Sequence, residues 1–197
     1  MLYKFCRAVL RILYGFLFRF SEKGKENVPE TGGVVLCSNH ISLLDPPAIG
    51  ILLDRKVNFM AKQELFKIPV LGWLIKGLGA FPVKRGGVGK ETIRTAFKLL
   101  QSGEIMGIFP EGTRNMSGDV AAKKGAAMIA LKSGAAVVPV AVCGNYRLFR
   151  KTYVVYGPPI DMTDLLERKE SNMLEQATDR IMGHIHELIE REQSNRV

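Results

Sequence analysis

From Gly33 onward, short runs of β-branched and aliphatic residues alternate with longer segments whose apolar residues return every three or four positions. The strand-like runs are 33–37, 57–61, 80–84, 105–109, 135–142 and 153–156. Between them lie helical stretches at 45–53, 62–66, 70–78, 88–101 and 121–132, the last ended by Ser133-Gly134. Residues 162–192 read as mostly helical, with Leu174, Ala177, Ile181, Ile185 and Leu188 forming an apolar stripe. This rhythm predicts an α/β fold, a mixed, largely parallel sheet flanked by helices. A chain of 197 residues that is 47% hydrophobic can bury one good core, so residues 21–197 are expected to form a single domain, entered through a polar connection at 21–31.

Residues 1–20 stand apart. Lys4, Arg7 and Arg11 recur at helical spacing on a segment otherwise filled with Leu, Ile and Phe. Its longest uncharged run, 12–18, is far short of the roughly 20 residues that a spanning helix needs. No small-residue cleavage site follows, as it would after a signal peptide. A cationic stripe on an aromatic-rich helix suits a segment lying in the headgroup plane of an anionic bilayer, at the cytoplasmic face of the cell membrane. The alternative is a helix packed on its own domain. The net charge of +9 and pI near 9.6 also imply an anionic partner. There is no RNA-binding aromatic signature, zinc-finger spacing or long basic tract, so that partner is not expected to be nucleic acid. Cys6, Cys37 and Cys143 lie scattered in apolar runs with no C-x-x-C, as reduced core residues of a cytosolic protein would.

Candidate chemistry concentrates in three stretches. The run 33–37 stops at Asn39-His40, and Asp45-Pro46-Pro47 opens the next helix with Asp as the expected N-cap. A turn of this length can fold Asp45 back onto the His40 imidazole, fix its tautomer and stabilise the imidazolium formed when it takes a proton. The same residues would also serve as a polar turn capping a helix. Lys84-Arg85 closes a short strand before glycine, where a guanidinium fork suits a phosphate, although adjacent cations also occur at solvated corners. Phe109-Pro110-Glu111-Gly112-Thr113-Arg114 follows a buried strand with a carboxylate, a glycine, a hydroxyl and a guanidinium. Ligands of open α/β sheets bind beyond the carboxyl ends of strands, where His40, Arg85 and this loop are all expected. Glu111 could accept from a substrate hydroxyl or hold a cation, and an internal salt bridge to Arg114 or Arg85 would instead shape the loop.

Other signals are weaker. Residues 85–92, Arg-Gly-Gly-Val-Gly-Lys-Glu-Thr, imitate a phosphate-binding loop. Glu91 stands where such a loop needs Ser or Thr to hold Mg²⁺, and the next strand ends in Pro-Glu rather than a metal-binding Asp. A P-loop nucleotide-binding protein is thus the remote alternative. His184 and His186, two apart on a helix, face different directions and give no metal site. No G-x-S-x-G elbow occurs. The apolar patch at 68–75 suits either core packing or the rim of an apolar tunnel.

Taken in order, four blocks resemble the glycerolipid acyltransferase family over about residues 30–160. They are Asn39-His40 with Ser42 and Asp45 (the family's H-x-x-x-x-D), Gly79 through Arg85, Phe109 through Arg114, and Val137-Val138-Pro139-Val140. The first and third are specific, the second is degenerate and the fourth is common to buried strands. Asn115 departs from the Ser that many members carry there, and either side chain can cap the loop. The resemblance implies transfer of a fatty acyl group from acyl-CoA or acyl-carrier protein to the sn-2 hydroxyl of lysophosphatidic acid, giving phosphatidic acid. It implies no cofactor beyond that co-substrate and no metal. His40 would be the general base and Asp45 its orienting partner. Arg85 and Arg114, helped by Lys84, would bind the phosphate, Glu111 and backbone N–H groups around Gly112 would position the glycerol, and Thr113 is expected among the substrate-binding residues. A relative acting on another lyso-lipid acceptor is the nearest alternative.

Overall fold

A computed structural model describes residues 2–83, 89–115, 122–168 and 170–195. Seven strands form one sheet: β1 (Ser21–Lys23), β2 (Val34–Ser38), β3 (Val57–Lys62), β4 (Phe81–Val83), β5 (Ile105–Ile108), β6 (Ala136–Cys143) and β7 (Tyr153–Tyr156). Their order is β1-β7-β6-β2-β5-β3-β4. Every pairing is parallel except β6 with β7. The sheet is thus mixed and largely parallel, as the alternating sequence pattern requires.

Central strands β2, β5 and β6 are almost wholly buried, because helices cover both faces. On one side lie α1 (Leu2–Phe18) and α2 (Asp45–Ile51), whose Tyr14, Phe18, Ala48 and Ile49 share a core with Val34, Leu36, Val138 and Val140. On the other lie α4 (Lys90–Gln101), α5 (Lys124–Ser133), α6 (Thr163–Arg168) and α7 (Met173–Ser194), packed on Val35, Cys37 and Met106. The division follows from the pleat: successive residues of β2 point to opposite faces, so Val34 and Leu36 enter one core and Val35 and Cys37 the other. The remaining helix, α3 (Pro69–Gly77), exposes Val70 and Trp73. Part of the 68–75 patch is therefore surface rather than core.

Three local expectations need correction. The connection at 21–31 contains β1, a three-residue edge strand registered parallel to β7. Its Ser-Glu-Lys sequence carries no strand signature and is extended by pairing alone. The helix foreseen over 162–192 is two helices, and the bidentate contact of Arg180 with Asp164 (2.6 and 2.8 Å) ties them together. That guanidinium holds the exposed Asp164 carboxyl down at about 2.

The third concerns α1. Only part of the expected cationic stripe faces outward: Lys4 and Arg11 are exposed, Arg11 beside Glu22 (3.6 Å), whereas Arg7 turns inward to the carbonyls of Leu53 (2.6 Å) and Asp54 (2.9 Å). Cys6, Tyr14 and Phe18 are buried, whereas Phe5, Ile12 and Phe16 are 68%, 73% and 70% exposed. The exposed part of the helix thus carries large apolar side chains alongside Lys4 and Arg11, and among the described residues no helix is long and apolar enough to cross a membrane.

All three cysteines are buried. Complete burial pushes the Cys37 thiol up to about 12, leaving almost no thiolate near neutrality. Cys37 is therefore expected to resist iodoacetamide in the native protein at pH 8 and to react fully in denaturant, as peptide mass mapping would read out.

Candidate active site

The register of the sheet builds the site. Cys37 of β2 pairs with Ile108 of β5, so the residues three further along each strand, His40 and Glu111, emerge side by side at the carboxyl edge. The backbone N–H of His40 donates to Glu111 Oε2 (3.0 Å), and the N–H of Asn115 donates back to the His40 carbonyl (2.7 Å). Asn115 Nδ2 also donates to Glu111 Oε1 (2.8 Å). On the other flank Asn39 acts as a peptide group, accepting from Val142 N–H (2.8 Å) and donating to the Val142 carbonyl (3.0 Å). The turn that carries His40 is thereby pinned to both neighbouring strands.

Asp45 is fully buried and is the first residue of α2 rather than its N-cap, which is Leu44. The expected capping bond is absent, and the carboxylate points upstream instead. Its Oδ2 accepts from Ile41 N–H (2.7 Å), Ser42 N–H (2.7 Å) and the His40 ring at Nδ1 (2.8 Å). A carboxylate only accepts, so Nδ1 carries the proton and Nε2 is left as the lone-pair nitrogen. The ring lies flat against Phe109, with centroids 4.0 Å apart and planes inclined by 18°, and Phe109 stacks in turn on Phe59 at 5.9 Å. Phe59 sits over Gly107, where a methyl group would fall on its ring atoms. This column prevents the imidazole from swinging away, so its rotation and its tautomer are both fixed. A nitrogen held in this way is able to accept a proton.

The Glu111 loop divides into an inner and an outer half. Glu111 is buried and turned toward the His40 turn, so its carboxylate shapes the loop; it makes no ion pair with Arg114. Gly112 turns back with φ of 67°, its N–H donating to the Phe109 carbonyl (2.9 Å). Thr113 and Arg114 are exposed at the outer end. Lys84 and Arg85 lie outside the described residues. Lys123 was not singled out in the sequence, yet a methyl group on Gly112 would meet its Nζ at 3.3 Å. It adds a cation to the outer half, and its signal was only a Lys-Lys-Gly before a helix, which any solvated N-terminus provides. Among the described residues no cluster of His, Cys, Asp or Glu is arranged to hold a metal.

An α/β enzyme with a base of this kind at the mouth of a parallel sheet is suited to activating a hydroxyl. A family model described as Acyltransferase matches residues 19–143, and the chain belongs to that family. It is an acyltransferase. Among its relatives, the 1-acyl-sn-glycerol-3-phosphate acyltransferase of Bacillus subtilis is 35% identical over 193 residues, covering 95% of this chain and 96% of that protein. The protein of the same name from Borreliella burgdorferi is 30% identical, over 81% of this chain and 68% of its own length. Among solved structures, the crystal structure of the 1-acyl-sn-glycerophosphate (LPA) acyltransferase, PlsC, from Thermotoga maritima superposes with a TM-score of 0.68 at 28% identity. That match covers 87% of this chain and 71% of the other.

Removing the Glu111 carboxylate would leave the His40 N–H without its acceptor and take one acceptor from the Asn115 amide. Glu111→Ala is expected to destabilise the fold by about 2 kcal/mol, seen as a lower denaturant midpoint, and to depress kcat. A rise in KM alone, with stability intact, would instead mark Glu111 as a substrate contact.

Proposed function

We propose that this chain transfers a fatty acyl group from an acyl thioester, acyl-CoA or acyl-carrier protein, to the sn-2 hydroxyl of 1-acyl-glycerol-3-phosphate, forming phosphatidic acid. The observation that carries the reading is the 2.8 Å contact between His40 Nδ1 and the buried Asp45 Oδ2, which leaves Nε2 as a fixed base at the strand edge. The 1-acyl-sn-glycerol-3-phosphate acyltransferases of Bacillus and Borreliella, as relatives, support this choice of acceptor.

An alcohol is a weak nucleophile. His40 Nε2 takes its proton as the oxygen attacks the thioester carbonyl carbon, and Asp45 stabilises the imidazolium that results. The tetrahedral adduct then collapses, the C–S bond breaks and the sulfur departs with the bonding pair. A thiol with a pKa near 8.5 is a good leaving group, and the imidazolium proton is available to it. One base therefore serves both halves of the reaction, without a covalent enzyme intermediate. Arg114, with Lys84, Arg85 and Lys123, anchors the phosphate and so sets the hydroxyl beside His40. Donors whose carriers are acidic or phosphorylated are drawn to a chain of net charge +9.

The acceptor is a membrane lipid, and α1 provides a surface on which to meet it. Phe5, Val9, Ile12, Leu13 and Phe16 form an exposed apolar face, and Phe149 extends it through an edge-on contact with Phe16 at 6.0 Å. Such a face, on a helix too short to span, suits peripheral seating in the interfacial layer.

The deciding experiment supplies purified protein with labelled acyl-CoA or acyl-carrier protein and a panel of lysolipids, the product being identified by mass. Phosphatidic acid formed only from lysophosphatidic acid is expected, and His40→Ala should lower kcat by about a hundredfold or more while the protein stays folded. Another preferred acceptor would overturn the substrate assignment, and an active His40→Ala enzyme would overturn the mechanism. Separately, replacing Phe5, Ile12 and Phe16 together by Ser is expected to abolish co-sedimentation with anionic vesicles without loss of folding. Unchanged co-sedimentation would remove α1 from the account.

A further inference from the structure

The three donors to Asp45 converge on a single oxygen. The other oxygen, Oδ1, is buried and completes no hydrogen bond. One other orphaned atom belongs to the same neighbourhood: the hydroxyl of Tyr146, buried and likewise without a closed hydrogen bond. Tyr146 packs on the core that also holds Ile41 and Leu44, which flank the catalytic turn. Its hydroxyl faces the Asp45 carboxylate, and burial together with that negative charge pushes the phenol far above its ordinary value. At any working pH it is therefore a neutral O–H, able to donate.

The placement of Tyr146 is costly in backbone terms. It sits in the loop between β6 and β7 at φ of 49°, a left-handed conformation rarely adopted by a bulky residue. Phe149, three residues on, has φ of 61°. Two such residues in one short loop persist only where the surroundings over-determine them. Here they do. Phe149 N–H donates to the Leu17 carbonyl (2.6 Å), Thr152 N–H donates to the Phe18 carbonyl (3.1 Å), and the Tyr146 ring packs edge-on against Phe18 at 5.6 Å. The C-terminal end of α1 thus holds the loop, and the loop brings a phenol beside the Asp45 carboxylate.

We propose that Tyr146 is a positioning residue for the acyl transfer, donating its hydroxyl hydrogen to Asp45 Oδ1 when the site is engaged. This rests on His40 and Asp45 acting as described above. Hydrogen bonds of catalytic groups are commonly long or misaligned before substrate arrives and tighten afterwards. With both oxygens occupied, the carboxylate is locked in rotation and its charge is shared between Oδ1 and Oδ2. Without the phenol, a buried lone pair is left unsatisfied and the charge concentrates on Oδ2, so the imidazole is gripped too hard and the carboxylate is free to tilt.

Tyr146→Phe tests this, since it keeps the ring on Phe18 and removes only the hydroxyl. Steady-state kinetics are expected to show kcat lowered about tenfold, with KM for lysophosphatidic acid and for the thioester within about twofold of wild type. The His40 Nδ1 proton resonance, assigned by its loss in His40→Ala and read with lysophosphatidic acid bound, should move downfield as its bond to Oδ2 strengthens. A packing role alone would leave both readings unchanged in Tyr146→Phe, and either kcat within twofold of wild type or an unmoved Nδ1 proton overturns the proposal. His40→Ala in the same assay separates the two layers. If it is inactive while Tyr146→Phe is normal, only the role of Tyr146 fails; if it is active, the dyad and the role of Tyr146 fail together.

Discussion

A single carboxylate oxygen, Asp45 Oδ2, gathers the His40 imidazole and the N–H groups of Ile41 and Ser42. Burying a carboxylate is expensive unless donors replace the water it loses, and these three do so from within five residues of chain. The turn closes because the carboxylate demands it, and the closed turn is what holds the imidazole. Stability and the proposed chemistry therefore draw on the same contacts. A side chain that satisfied the turn but not the ring, or the ring but not the turn, would undo both.

The rest of the sheet supplies the walls of this arrangement. Parallel β2 and β5 deliver His40 and Glu111 to one edge in matched register, and Glu111 then fastens the two loops by accepting from the His40 backbone and from Asn115. The Gly107–Phe59–Phe109 stack fills the space beneath the imidazole. Neither device touches the reacting atoms. Each removes a freedom that the imidazole would otherwise have, and in the proposed reaction such rigidity lowers the cost of reaching a productive geometry.

Much of this was legible in the residues. The alternation of apolar runs located six strands and gave the fold class, because a buried parallel strand must be continuously apolar. The five-residue spacing of His40 and Asp45 was visible for the same local reason that makes it work: a short turn returns the chain upon itself. Features set by distant partners were not visible. β1 is extended only because β7 lies beside it, and Ser-Glu-Lys alone prefers nothing of the kind. The inward role of Glu111 depends on strand register, which pattern does not encode. That Arg7 turns toward the protein depends on Leu53 and Asp54, far from it in the chain. Tyr146 left no trace in the sequence, since a lone tyrosine after Gly-Asn reads as an ordinary loop.

The way α1 is joined to the domain has a practical consequence. Tyr14 donates to the Leu44 carbonyl (3.2 Å) next to Asp45, and Phe18 fills the core beside Tyr146. The helix that presents grease to the outside is thus also a plug for the inside. Trimming it away to obtain a better-behaved reagent would open the protein's own interior to water. A detergent-free version has to be reached by repainting the outward side chains while the inward ones are left as they are.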